Sequence, residues 1–403
     1  MSMARAFFFS VLFCVVLPAH SMEGVSEIAA AKAGVFHHLD ASGRNSLAVS
    51  GASVALVWED NRSGAPGCYL ALKGGGENGF REFPFGQGEC FEPAIAAFDA
   101  DRFLLIWEDA GGVHAAIADS AGPGLPTRLA ESGGQGAVIR HAEFGAHAAW
   151  SAPDGSWRRV FHAPLHGEGK QLRSGAARPV DTTPASDDQT FPVLAASASG
   201  LMLAWEDRRH GHTVIFGSYS SDPGAKTWST PSRISGNPTG KQAGDLGRGT
   251  GAMRPALATF GDRLAAAWLD KRDFLSGYDV YAALTGKDSL RFEMDQKAQD
   301  SFGDAIAQWH VAAAGNAGGD LVIAWDDDRD GTADIWLTRL TATGASQNYS
   351  ENFTLPEASG PGAQSDPALA LDAAGNLHLA WIDRDAAGMT RLRYLRWTLP
   401  PRD

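Results

Sequence analysis

The sequence predicts an all-β, seven-bladed β-propeller, and three observations carry that prediction. A short pattern recurs along the chain: four or five mostly apolar residues, a Trp, one further residue and an Asp. It ends at Trp58/Asp60, Trp107/Asp109, Trp205/Asp207, Trp268/Asp270, Trp325/Asp327 and Trp381/Asp383, with a degraded seventh copy at Trp150, where Ala152 replaces the Asp. The Trp-to-Trp spacings of 49, 43, 55, 63, 57 and 56 residues suit a four-stranded blade. The segments around each copy are short and bounded by Gly, Asn, Asp or Pro, as strands are. Finally, the Trp-ended runs, such as Phe103-Leu104-Leu105-Ile106, are unbroken apolar stretches. A strand reads this way when both of its faces are covered, as neighbouring blades cover the inner strands of a propeller.

Taken in chain order, residues 1–21 read as a secretory signal. Arg5 opens it, the run from Ala6 to Leu17 is mostly apolar, and Ala19-His20-Ser21 offers small residues for cleavage before Met22. The run is too short for a membrane span, which needs about 20 apolar residues. Residues 22–403 form one propeller domain, with no membrane insertion once the signal is removed. The first strand of a blade is often opened by Pro, as in Pro93-Ala94-Ile95-Ala96, Pro192-Val193-Leu194-Ala195, Pro255-Ala256-Leu257-Ala258 and Pro367-Ala368-Leu369-Ala370. Its small Ala residues suit the crowded axis. The Trp-ended second strand follows, then a third such as Asp334-Ile335-Trp336-Leu337, and a less regular fourth. The last unit ends near Trp397 without a fourth strand. The stretch Gly34-Val35-Phe36-His37-His38-Leu39 has no unit of its own and is expected to join the last blade and close the ring. Closure removes exposed sheet edges.

The net charge of −13 excludes a nucleic-acid binder and a polybasic membrane-surface protein. Removal of the signal takes Cys14 with it. Cys68 and Cys90 remain, and an even count in an exported chain predicts one disulfide. The expected location is secreted or periplasmic.

The repeats resemble the sialidase-like propellers, with their BNR or Asp-box repeats, and the bacterial secreted Trp-x-Asp-x-Arg propellers. The strongest local match is Ser220-Ser221-Asp222-Pro223-Gly224-Ala225-Lys226-Thr227-Trp228, similar to an Asp box with one extra residue before Thr227. The resemblance implies that this box is a structural turn between third and fourth strands, away from any active site. It also implies an arginine triad, a Tyr–Glu pair and an Asp acid/base for a sialidase. The nearest fragment of the family's Arg motif is Met253-Arg254-Pro255, no Tyr–Glu pair is assigned, and no catalytic residue is carried over.

Four sets of residues are site candidates. Arg62, Arg209, Arg272 and Arg329 each follow a repeat Trp by four residues, as a crown for acidic glycans or as a repeated structural turn. Asp326, Asp328, Asp330 and Asp334, with Gly331, resemble the calcium loop of integrin-type propellers; the chemistry suits Ca²⁺, which takes oxygen ligands on a tight turn. The alternative is an acid-rich version of the Asp-x-Arg turn. His210-x-His212 and His37-His38 lack further ligands at metal spacing and read as turn or strand positions. The starts of the first strands ring one mouth of the central channel, and counting back from each Trp places Glu92, Phe191, Arg254, Trp309 and Asp366 there. Two acids, an Arg and two aromatics suit a sugar. The expectation is therefore a non-enzymatic binding propeller that takes a glycan or protein at this mouth. The alternative is a glycoside hydrolase or lyase that uses Glu92 and Asp366 as paired carboxylates.

Overall fold

The computed structural model describes residues 24–39, 45–236, 251–272, 277–300, 306–343 and 347–401. The expected signal, residues 1–21, lies outside them. Seven antiparallel sheets of four or five strands make seven blades, numbered here in chain order. Blade 4 shows the pattern: Gln189–Ser197, Gly200–Asp207, Val214–Ser220 and Ser232–Arg233 pair in sequence from the axis outward. Among the described residues, helical structure is limited to one 3-10 turn, Pro356–Ala358. No helix among them is long and apolar enough to cross a membrane.

The ring is closed by an N-terminal strand, but not by the stretch that sequence reasoning selected. Ser26–Ala29 pairs with Thr390–Thr398 of blade 7 as its outermost strand. His37–His38 pairs instead with Glu59 and Asp60, on the innermost side of blade 1. The His37 N–H and Nδ1 both meet Thr390 Oγ1, each at 3.0 Å, so this stretch still stitches blade 1 to blade 7.

The repeat has a structural explanation. Trp58, Trp150, Trp205, Trp268, Trp325 and Trp381 are fully buried between blades. An indole N–H so buried needs an acceptor, and the Asp two residues on supplies it. Trp58, Trp205, Trp268 and Trp325 each donate to their Asp at 2.9–3.1 Å. The same Asp accepts the backbone N–H of the Arg two residues later and pairs with its guanidinium at 2.6 Å. Each Arg also reaches a second acid, Glu82, Asp181, Asp295 or Asp300, and lies over an aromatic of the third strand, Tyr69, Phe216, Tyr281 or Trp336. These four arginines are therefore engaged within the scaffold.

Cys68 on the third strand of blade 1 and Cys90 on the first strand of blade 2 form a disulfide. It joins the two blades beside the channel mouth. At the opposite face, residues 220–228 form a turn in which Asp222 accepts the N–H groups of Gly224 and Lys226, and Trp228 packs back between blades 3 and 4.

Candidate functional site

The first strands of blades 2 to 7 each start at one mouth of the channel and are interrupted there by a β-bulge. The register breaks after Phe91, Gly134, Thr190, Met253, Trp309 and Ser365. The residue that follows has a left-handed backbone in every case: Glu92, Gln135, Phe191, Arg254, His310 and Asp366, with φ between 48° and 57°. Non-glycine residues rarely adopt this conformation, and bulges re-aim side chains beside functional sites. In blades 2, 4, 5 and 7 a Pro follows the bulge residue, where a missing N–H costs no ladder bond.

Three of the six bulges are secured by the residue just after the repeat Trp. Along a strand this residue faces away from the Trp and its Asp. Glu59 accepts the N–H of Glu92 at 2.9 Å, Glu206 that of Arg254 at 2.8 Å, and Asp326 that of Asp366 at 3.1 Å. In each case the acid belongs to the preceding blade. Gln135 does the same for Phe191, at 3.0 Å. Glu108 lies against Gly134, where an added Cβ would fall 1.2 Å from its carboxylate.

The sequence-chosen ring residues Glu92, Phe191, Arg254 and Asp366 all occupy these bulges. Trp309 lies one residue early: the bulge of blade 6 presents His310, and Trp309 is 40 % exposed beside it. Blade 6 has Val311 where blades 2, 4, 5 and 7 have the Pro that follows the bulge residue, so its bulge carries no sequence marker. Sequence reasoning also passed over Gln135, Glu206 and His310. The acid after the Trp in Glu59, Glu108, Glu206 and Asp326 was the signal that pointed to this layer.

Charge is concentrated on blades 4 to 7. His310 Nδ1 is 2.6 Å from Asp326 and its Nε2 3.7 Å from Asp366. Burial alone would lower the His310 pKa. The Asp326 hydrogen bond and charge, and then Asp366, outweigh it and push the value up to about 9, so the ring is an imidazolium at neutral pH. Ser365 Oγ donates to Asp366 at 2.6 Å and fixes that carboxylate. Arg254 lies over the Phe191 ring at 3.5 Å from its centroid, with Glu206 3.9 Å from its Nε. Burial raises the Glu206 pKa, against the opposing pull of the Arg254 N–H and charge. Its side chain is 8 % exposed, whereas that of Arg254 is 32 % exposed.

The four aspartates proposed for calcium do not converge. Asp326 turns to the channel mouth and His310, while Asp334 accepts the N–H of Gly360. Gly331 closes a turn onto the Asp328 carbonyl. No group of three or more potential metal ligands occurs among the described residues. Beyond the bulges the channel is lined by small and aliphatic residues such as Ala96, Leu194, Leu257 and Ala313, and a cavity of about 230 Å³ opens at its far end. The same cavity also takes in Asn45, Arg140 and Thr259.

No family model and no curated protein matches the chain. Solved structures that share its fold include the polysaccharide lyase Uly1, at a TM-score of 0.59 and 10 % identity over 88 % of this chain and 89 % of that one. A protein of unknown function from Dyadobacter fermentans gives 0.52 at 9 % identity, over 94 % and 100 %. The α-L-arabinanase of Penicillium chrysogenum, solved with arabinobiose, gives 0.51 at 11 % identity, over 93 % and 98 %. At these identities the likeness is one of fold, the β-propeller. It nevertheless corrects the expectation of a non-enzymatic binding propeller: the neighbours with a stated activity are a lyase and an arabinanase, which favours the enzymatic alternative.

Proposed function

We propose that the protein is an exported glycan-cleaving enzyme, a glycoside hydrolase in reaction class, whose site is the channel mouth on blades 4 to 7. The observation that carries this reading is a row of charged groups on adjacent blades at the mouth, Glu206 beside Arg254 and Asp326 and Asp366 beside His310, with Arg254, His310 and Asp366 on re-aimed bulges. Glycoside hydrolysis needs one carboxyl group held protonated and another held ionised. Glu206, raised by burial, is the proton donor to the leaving oxygen. Asp366, facing the His310 ring and fixed by Ser365, is the second carboxyl group, which activates water or attacks the sugar carbon. Arg254, laid flat on Phe191, orients the substrate. Glu92 faces the same mouth from blade 2 as a further binding group.

Hydrolysis is the reading adopted because two carboxyl groups in unlike surroundings, Glu206 buried beside Arg254 and Asp366 bonded by Ser365, belong to the mouth. The disulfide supports an oxidising compartment, and the turn at residues 220–228 supports kinship with sialidase-like propellers. The test is incubation with a panel of neutral and acidic polysaccharides. New reducing ends without an ultraviolet-absorbing unsaturated product are expected. An unsaturated product would assign elimination, and no cleavage of any member would overturn the proposal.

A further inference from the structure

One aromatic pair at the mouth belongs to no structural repeat. Trp309 is among the few large apolar side chains left exposed among the described residues, at 40 %. Its ring lies 5.1 Å from that of Tyr278, with 51° between the planes. Tyr278 immediately precedes the third strand of blade 5, Asp279–Leu284, so the pair bridges blades 5 and 6 beside His310. The mount is rigid. The N–H of Gln308 donates to the Tyr278 carbonyl at 2.9 Å, and the Gln308 side chain is buried, accepting from Gln299 at 2.9 Å. Gln299 in turn bonds Asp279. Lys271 stands over the Tyr278 ring at 5.4 Å. It is exposed and forms no ion pair with a described carboxylate, unlike the repeat arginines.

An exposed indole backed by a second ring and fixed by a buried amide network offers a flat apolar face at a polar site. Such a face suits the C–H side of a pyranose ring, because aromatic groups combine large contact area with little rotamer entropy. The ammonium over the Tyr278 ring, without a carboxylate partner among the described residues, suits an anion.

We propose that Trp309, backed by Tyr278, is a sugar-stacking platform for the glycan unit adjoining the His310–Asp366 pair. Lys271 makes that platform select a unit bearing an acidic group, a carboxylate or a sulfate ester. This rests on the glycan reading of the mouth and names the substrate class within it.

The test is calorimetric binding to the Asp366→Asn protein, so that turnover does not interfere. The probes are oligogalacturonate, a sulfated galactan oligosaccharide and a neutral arabinan oligosaccharide. The acidic probe that fits is expected to bind about ten-fold more tightly than the neutral one, by a margin that shrinks with salt; which of the two it is identifies the acidic group. Trp309→Ala should weaken all binding roughly ten-fold, and Trp309→Phe should restore most of it. Lys271→Met, a surface change, should abolish the preference for acid and leave neutral binding unchanged. Undiminished binding by folded Trp309→Ala protein, a preference that survives Lys271→Met, or no binding of any probe would each overturn the proposal. Binding that follows the expected pattern while the wild type cleaves nothing would overturn the reaction and leave the platform standing.

Discussion

At the mouth, six side chains leave their strands through left-handed bulges, and their individual environments decide what each can do. Glu206 and Asp366 are the two carboxyl groups on which cleavage depends. Glu206→Gln and Asp366→Asn should each lower kcat at least about a hundred-fold, the scale of general acid–base catalysis, with thermal unfolding little changed. His310 makes a separate prediction. Its pKa rises from 6.5 unfolded to about 9 folded, so its ion pairs stabilise the fold fully below pH 6.5. That stabilisation is lost as pH climbs through about 9. Denaturant midpoints of the wild type should therefore fall across this alkaline window, and those of His310→Gln should not. The bulge residues were legible by type and approximate place from the Pro-opened strands. His310 was not, because Val311 follows it in place of the Pro that marks the bulge in blades 2, 4, 5 and 7.

The blade is the unit in which the sequence is most readable, since Trp, Asp and Arg at fixed offsets serve one buried network. Removing the Asp leaves an indole N–H and a guanidinium without their acceptor. Asp207→Ala should cost about 3 kcal/mol in denaturant unfolding. Ala152 of blade 3 stands in the corresponding place, and that blade carries a different buried polar feature. His147 Nδ1 lies 2.9 Å from His162 Nε2, and His147 Nε2 is 2.7 Å from the Phe144 carbonyl. The carbonyl can only accept, so His147 carries its proton on Nε2 and accepts from His162. Burial, and then His147, push the His162 pKa down to about 3. Burial lowers that of His147 too, with His166 adding to it and the Phe144 bond opposing. The unfolded chain thus binds more protons, and stability should fall as pH drops below 6.5, by up to about 1.4 kcal/mol per pH unit for each ring. Acid titration of the unfolding free energy of His162→Gln should show a shallower slope. Neither ring belongs to a repeated motif, so pattern reading had no means of pairing them.

For the whole ring, closure is the property that spacing alone could not assign. That an N-terminal strand completes blade 7 was readable from the missing fourth strand. Which strand was not, because Ser26–Ala29 and His37–His38 are both short and each touches blade 7 only across more than 300 residues of sequence. The disulfide adds a second brace, between blades 1 and 2. Replacing Cys68 and Cys90 together by Ala should lower stability by about 3 kcal/mol, as expected for a loop closed over 22 residues, and leave cleavage intact. Function was the least legible level: apolar repeats specify a propeller whatever its mouth does, and the deciding acids, Glu206 after a repeat Trp and Asp366 on a bulge, lie at positions that the Trp–Asp–Arg network does not use. The most direct measurement is the rate at which reducing ends appear from an acidic polysaccharide, with wild type and Asp366→Asn side by side. The account predicts steady release by the wild type and a loss of at least about a hundred-fold in the folded variant. Equal release by both proteins would contradict it.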